Sequence, residues 1–245
     1  MNKRIYRILF SLIIAMIVMM LLVGVTPSKD APRILIMLGG TMPEGIIQGV
    51  TYFFFIFGIM DVIYLLGKIS DEKKALSQHL LPEKENWILD AEDTNKIKLD
   101  IQQIEHTQKF LLTDLIIKAC TKYRLSKSSA EVISLVDVQI RIYNEKYESE
   151  QSFISYAAWA VPSVGFIGTV LGIAASLGYT NEASTPEGLE KVTSMLAVAF
   201  DTTLVALVLS IILMWGIHYL RKQQDSLFAD LNSYIIENLI NRFYK

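Results

Sequence analysis

Four long apolar stretches decide what this chain can become. Residues 8–25 hold no charge and follow Lys3, Arg4 and Arg7. Residues 46–66 carry Gln48 and Asp61, residues 153–179 are uncharged and contain Pro162, and residues 192–220 contain one acid, Asp201. A bilayer core about 30 Å thick is crossed by roughly 20 mostly apolar residues in a helix, so each stretch is long enough to span. A composition of 52% hydrophobic residues exceeds what one soluble core would bury. The expected fold is all-α: a polytopic membrane protein with four transmembrane helices and a helical cytoplasmic domain.

The first stretch has a competing reading as a cleaved signal peptide, since its start is basic. Its apolar run is longer than a usual signal core, and Val23-Gly24-Val25-Thr26-Pro27 is a poor cleavage site, so a retained span is expected. Lys and Arg gather on the cytoplasmic side of spans. The N-terminal tail is basic, and the fourth span ends in Arg221-Lys222. The loop at 180–191 sets Glu182, Glu187 and Glu190 against Lys191. That loop is expected outside with the segment 26–45, both termini inside, and 67–152 in the cytoplasm. The expected organisation is an N-terminal pair of spans within 1–66, a cytoplasmic helical domain at 67–152, a C-terminal pair of spans within 153–222, and a cytoplasmic helix at 223–245.

Within the cytoplasmic segment, Ile101, Ile104, Leu111, Leu112, Leu115, Ile116 and Ala119 recur mostly at three- and four-residue spacing, which predicts a helix over 100–124. Ser128-Ser129-Ala130-Glu131 has capping-box spacing, and neither Pro nor Gly follows before Pro162. One helix is therefore predicted from about Ala130 to Gly178, on the order of 70 Å at about 1.5 Å per residue. Asp61, near the cytoplasmic end of the second span and Lys68, is expected to be an interfacial, solvated acid. Cys120, the one cysteine, is expected to act as a small buried apolar side chain rather than a reactive thiol.

The last two spans carry small residues on one face each. On the third, Ala158, Pro162, Gly165, Thr169, Gly172 and Ser176 follow one another at spacings of four and three, and Gly168 widens the face. On the fourth, Ala199, Thr203, Ala206 and Ser210 do the same. Small residues let helices approach closely in lipid, and plain packing accounts for the glycines. Thr169 and Thr203 lie at similar distances from the outer ends of their spans, roughly 15 Å deep at about 1.5 Å per residue. A lone membrane threonine usually bonds to a carbonyl one turn back. Two at one depth on two such faces point equally to a polar path. Asp201 is a functional candidate because an acid inside a span is costly, yet it lies about 200° around the helix from Thr203. A neighbouring subunit, a water-filled vestibule or protonation would each accommodate it.

Enzyme signatures are absent: His79, His106 and His218 are scattered without metal-ligand spacing, and no phosphate-binding glycine loop occurs. No cofactor, metal or nucleic acid is expected. A secondary transporter is disfavoured, as no inverted repeat is visible.

The stretch 161–172, Val-Pro-Ser-Val-Gly-Phe-Ile-Gly-Thr-Val-Leu-Gly, followed by 199–206, Ala-Phe-Asp-Thr-Thr-Leu-Val-Ala, resembles the MotA/TolQ/ExbB ion-channel family. The resemblance covers about 150–222 and the long helix before it. It implies a subunit of the A type, five copies of which ring two single-span helices of a MotB/TolR/ExbD-like partner in the bacterial inner membrane. A partner aspartate then carries the ion, and ion flow moves the partner. Thr169 and Thr203 match the family's pore threonines, with Thr202 beside them, and Pro162 matches a hinge-like proline. Ser176 and Ser210 extend the same faces, while Gly165, Gly168, Gly172 and Ala206 form the packing surface. Ala206 stands where a glycine is usual, and Asp201 where an aromatic or small residue is usual. Four spans are more like the flagellar stator branch, and the short stretch after the last span points away from branches with extended tails. The transported ion implied is H+, with Na+ open. The reading from another class is a scaffold protein whose small-residue faces only pack helices.

Overall fold

The computed structural model describes residues 2–26, 32–41, 45–82 and 88–243. Parts of the predicted outer segment, 27–31 and 42–44, lie outside the described residues. Among the described residues seven α-helices follow in order: α1 (Asn2–Val25), α2 (Arg33–Met37), α3 (Ile46–Leu76), α4 (Ala91–Thr107), α5 (Leu111–Ser126), α6 (Ser129–Gly178) and α7 (Pro186–Asn238). Short 3-10 turns occupy Thr180–Glu182 and Ile240–Arg242. Among the described residues there is no strand, only an isolated bridge between Leu89 and Phe243. Helices α1, α3, α6 and α7 are long and apolar enough to cross a membrane. The protein is an all-α polytopic membrane protein.

The long helix predicted through Pro162 is continuous from Ser129 to Gly178. Its start is marked by Glu131 N–H donating to Ser128 Oγ at 3.4 Å, and α5 ends just before it with Lys127 in the left-handed region at φ 53°. The helix predicted over 100–124 is instead two, broken at 108–110. The α5 start is held by a residue remote in sequence: Leu111 N–H donates to Glu72 Oε2 of α3 at 2.8 Å. Thr113 Oγ1 also accepts from Phe110 N–H at 3.2 Å. The apolar spacing runs through the break because both helices turn the same kind of face to one core. At the start of α4, Asp90 accepts from the Glu92 and Asp93 N–H groups, both at 2.8 Å, satisfying donors that a helix N-terminus leaves open.

The chain forms two compact units, one of Met1–Ile63 with Ser152–His218 and the other of Tyr64–Gln151 with Tyr219–Lys245. Helices α3, α6 and α7 contribute residues to both. In the first unit, Ala15, Tyr52 and Val205 make a buried cluster, with Val18, Met37, Leu38 and Leu209 packed on it. Phe57 meets Phe153 edge to face at 4.8 Å between centroids. Much of the outer surface of this unit is apolar: Phe166, Phe200, Ile211 and Trp215 are all exposed, as suits side chains facing lipid or another subunit.

In the second unit, α5 is the hub. Leu112, Leu115, Ile116, Ala119, Cys120 and Tyr123 are buried on it, and the Tyr123 ring stacks on Phe243 at 3.7 Å. Burial pushes the Cys120 thiol up to about 12, which makes it the inert apolar filler expected. Several polar side chains of this unit pair with one another. Lys68 Nζ bonds both Glu150 oxygens, at 2.9 and 2.7 Å, and Gln224 Nε2 donates to Asn144 Oδ1 at 2.7 Å while its carbonyl accepts from Gln151.

Candidate functional site

The small-residue faces of α6 and α7 are turned toward each other within one chain. A Cβ on Gly165 would run into Ala206 Cβ, one on Gly168 would meet the Thr202 side chain, and one on Gly172 would lie 2.6 Å from Ala199 Cβ. The antiparallel helices thus mesh in register, 165 with 206, 168 with 202 and 172 with 199. Ala206, where a glycine is usual, is fully buried and fits because Gly165 opposite it has no side chain. Pro162 sits inside α6 without ending it; its missing N–H leaves the Ala158 carbonyl without the usual helical donor.

At the edge of this contact the two threonine hydroxyls meet. Thr169 Oγ1 and Thr203 Oγ1 are hydrogen-bonded to each other. Thr169 Oγ1 also donates across the interface to Ala199 O at 3.0 Å, and Thr203 Oγ1 to Gly165 O at 2.8 Å. Neither uses the carbonyl one turn back on its own helix, the usual resort of a membrane threonine. Both are partly exposed, so the pair borders the surface rather than being sealed between the helices. Thr202, next to it, is buried and bonds Ala199 O at 2.8 Å and Gly165 O at 3.4 Å.

The hydrogen-bond count gives this group its chemistry. With the Thr202 hydroxyl donating to Ala199 O, the contacts can all be served: Thr169 donates to Thr203 and Thr203 to Gly165 O. Each hydroxyl oxygen has two lone pairs, so acceptor capacity is left over on the pair. Such partly exposed hydroxyl oxygens can accept a hydrogen bond from water or hydronium, or ligate a small hard cation.

The serines on the same faces do not join the cluster. Ser176 is buried and donates to Ile173 O at 2.8 Å on its own helix, and Ser210 is partly buried farther along α7.

Both intramembrane acids are ion-paired inside the chain, which sequence reasoning missed. Asp61 is not a solvated interfacial acid: it is 2% exposed, and Arg7 Nε of α1 stands 2.7 Å from its Oδ1. An ionised carboxylate this deep requires such a partner. Asp201 is 7% exposed and faces Arg33 of α2, whose Nη1 lies 2.7 Å from Oδ2 and whose Nη2 donates to Oδ1 at 2.9 Å. The available signals were Arg7 in the basic N-terminal run and Arg33 in the segment between the first two spans.

Comparison with protein families places a match over residues 106–233 to the model of the MotA/TolQ/ExbB proton channel family. Searches of curated proteins and of solved structures found no match.

Proposed function

The chain belongs to the MotA/TolQ/ExbB proton channel family, and we propose that it is the ring-forming channel subunit of an ion-driven motor in the bacterial inner membrane. Five copies would surround two single-span helices of a partner, with both termini of this chain in the cytoplasm. The observation that carries the reading is the Thr169–Thr203 pair: two partly exposed hydroxyls in contact, bonded to cross-helix carbonyls and with acceptor capacity left over. The nearest acid on α7, Asp201, is already neutralised by Arg33. The titrating carboxylate of a proton path is thus left to the partner, whose aspartate would exchange an ion, H+ or Na+, with the hydroxyl group as the ring and partner move past each other.

The test is ion flux through the assembled complex. Thr169→Val removes the hydroxyl at near-constant volume, and flux and motor output are expected to fall at least about tenfold, the effect of about 1.4 kcal/mol on a barrier. Thr169→Ser keeps the hydroxyl and is expected to retain most of the flux. Parental flux in Thr169→Val would sink the assignment.

One observation favours the scaffold reading: each hydroxyl also ties α6 to α7 through a carbonyl. Under that reading Thr169→Val lowers the melting temperature of the chain, and no ion flux accompanies the parent protein.

A further inference from the structure

The threonine group stands on two helices and survives only while they keep one rotation relative to each other. On α7, Asp201 lies about 200° from Thr203 and about 100° from Thr202. Whatever grips Asp201 therefore also sets the direction in which both hydroxyls point. Arg33 grips it with two prongs, Nη2 to Oδ1 at 2.9 Å and Nη1 to Oδ2 at 2.7 Å. The hydrogen bond from Nη2 fixes direction, and the ion pair from Nη1 to the second oxygen adds charge attraction.

An arginine can hold a neighbouring helix only if its own backbone is held, and α2 is anchored at its other end. Tyr52 Oη of α3 donates to Leu38 O at 2.7 Å, and Gln48 Nε2 donates to Met37 O at 3.4 Å. Met37 and Leu38 pack on the buried cluster of Ala15, Tyr52 and Val205. Gly39 then turns the chain at φ 96°, so close to α3 that a Cβ there would stand 3.0 Å from Gln48 Cβ. The segment is a short strap, fastened to α3 at one end and to α7 at the other.

We propose that Arg33 is a positioning residue for the threonine group, fixing through Asp201 the rotation of α7 that brings Thr203 against Thr169. Asp201 is in this account the fastening point of the strap, not an ion carrier. The significance of the inference rests on the channel reading, but its geometry does not, so the two are tested separately.

The experiment measures disulfide closure in the full chain in membranes. Thr169→Cys with Thr203→Cys places two thiols where the hydroxyls touch, and the rate of closure under mild oxidant reports their approach. Adding Arg33→Gln is expected to slow closure about tenfold, within the range of coupling between residues that share one network. Arg33→Lys keeps the charge but not the second prong and is expected to give an intermediate rate. The charge exchange Arg33→Asp with Asp201→Arg is expected to restore most of the rate, which a general loss of folding would not do. A parental closure rate in Arg33→Gln overturns the strap without touching the flux result. Should that variant fail to accumulate, a parental rate in Arg33→Lys overturns it alone. Loss of closure with recovery in the charge exchange upholds the strap, even where Thr169→Val leaves flux intact and defeats the channel reading.

Discussion

The side chains that matter most here are those whose partners sit far away in sequence. Arg7 and Asp61 form a pair with the acid fully buried, and a buried charge deprived of its partner is costly. Asp61→Leu is expected to destabilise the detergent-solubilised chain by about 3 kcal/mol, whereas replacing both Arg7 and Asp61 by Leu costs much less; a thermal-melting cycle over the parent, Arg7→Leu, Asp61→Leu and the double variant measures the coupling. Equal losses in single and double variants would show the pair to be unimportant. Cys120 supplies a second check. With its thiol at about 12 and its side chain buried, maleimide labelling at neutral pH is expected only as fast as the second unit opens, so denaturant should accelerate it steeply. Rapid labelling of the native chain would contradict the burial. The acids were legible as costly residues, but their partners were not. Arg33 is 168 residues away from Asp201, and no local pattern links such positions.

At the scale of helices, the mesh of α6 with α7 was legible because small residues at three- and four-residue spacing leave few other uses for a face in lipid. The sequence could not say that the two faces meet within one chain. The register predicts a compensation. Gly165→Ala puts a Cβ into Ala206 and is expected to cost about 1–3 kcal/mol by overpacking; Ala206→Gly in the same chain is expected to return most of it, as read by melting. If the double variant is no better than the single, the contact is not as close as described. The break between α4 and α5 was not legible, since the Leu111 N–H finds its acceptor in Glu72 on another helix. Glu72→Ala is expected to cost about 1 kcal/mol and to raise hydrogen exchange at the first amides of α5 alone. Protection unchanged at Leu111 would mean the carboxylate is not its acceptor. By contrast, the run from Ser129 to Gly178 was readable from start to end, because a cap was present and neither Pro nor Gly intervened before Pro162.

The whole molecule is a membrane bundle that leaves large apolar side chains exposed. Phe166, Phe200, Ile211 and Trp215 are exposed in the single chain, and the acid nearest the Thr169–Thr203 group on α7, Asp201, is held by Arg33. A ring of copies around a partner's span would cover part of that surface and supply a carboxylate. The most direct measurement is the native mass of the complex purified from membranes through this chain, with identification of every component. The expected result is a ring of five copies with two copies of a second protein that has one span and an aspartate within it. A stable monomer or dimer, or a ring with no such second protein, would contradict the account.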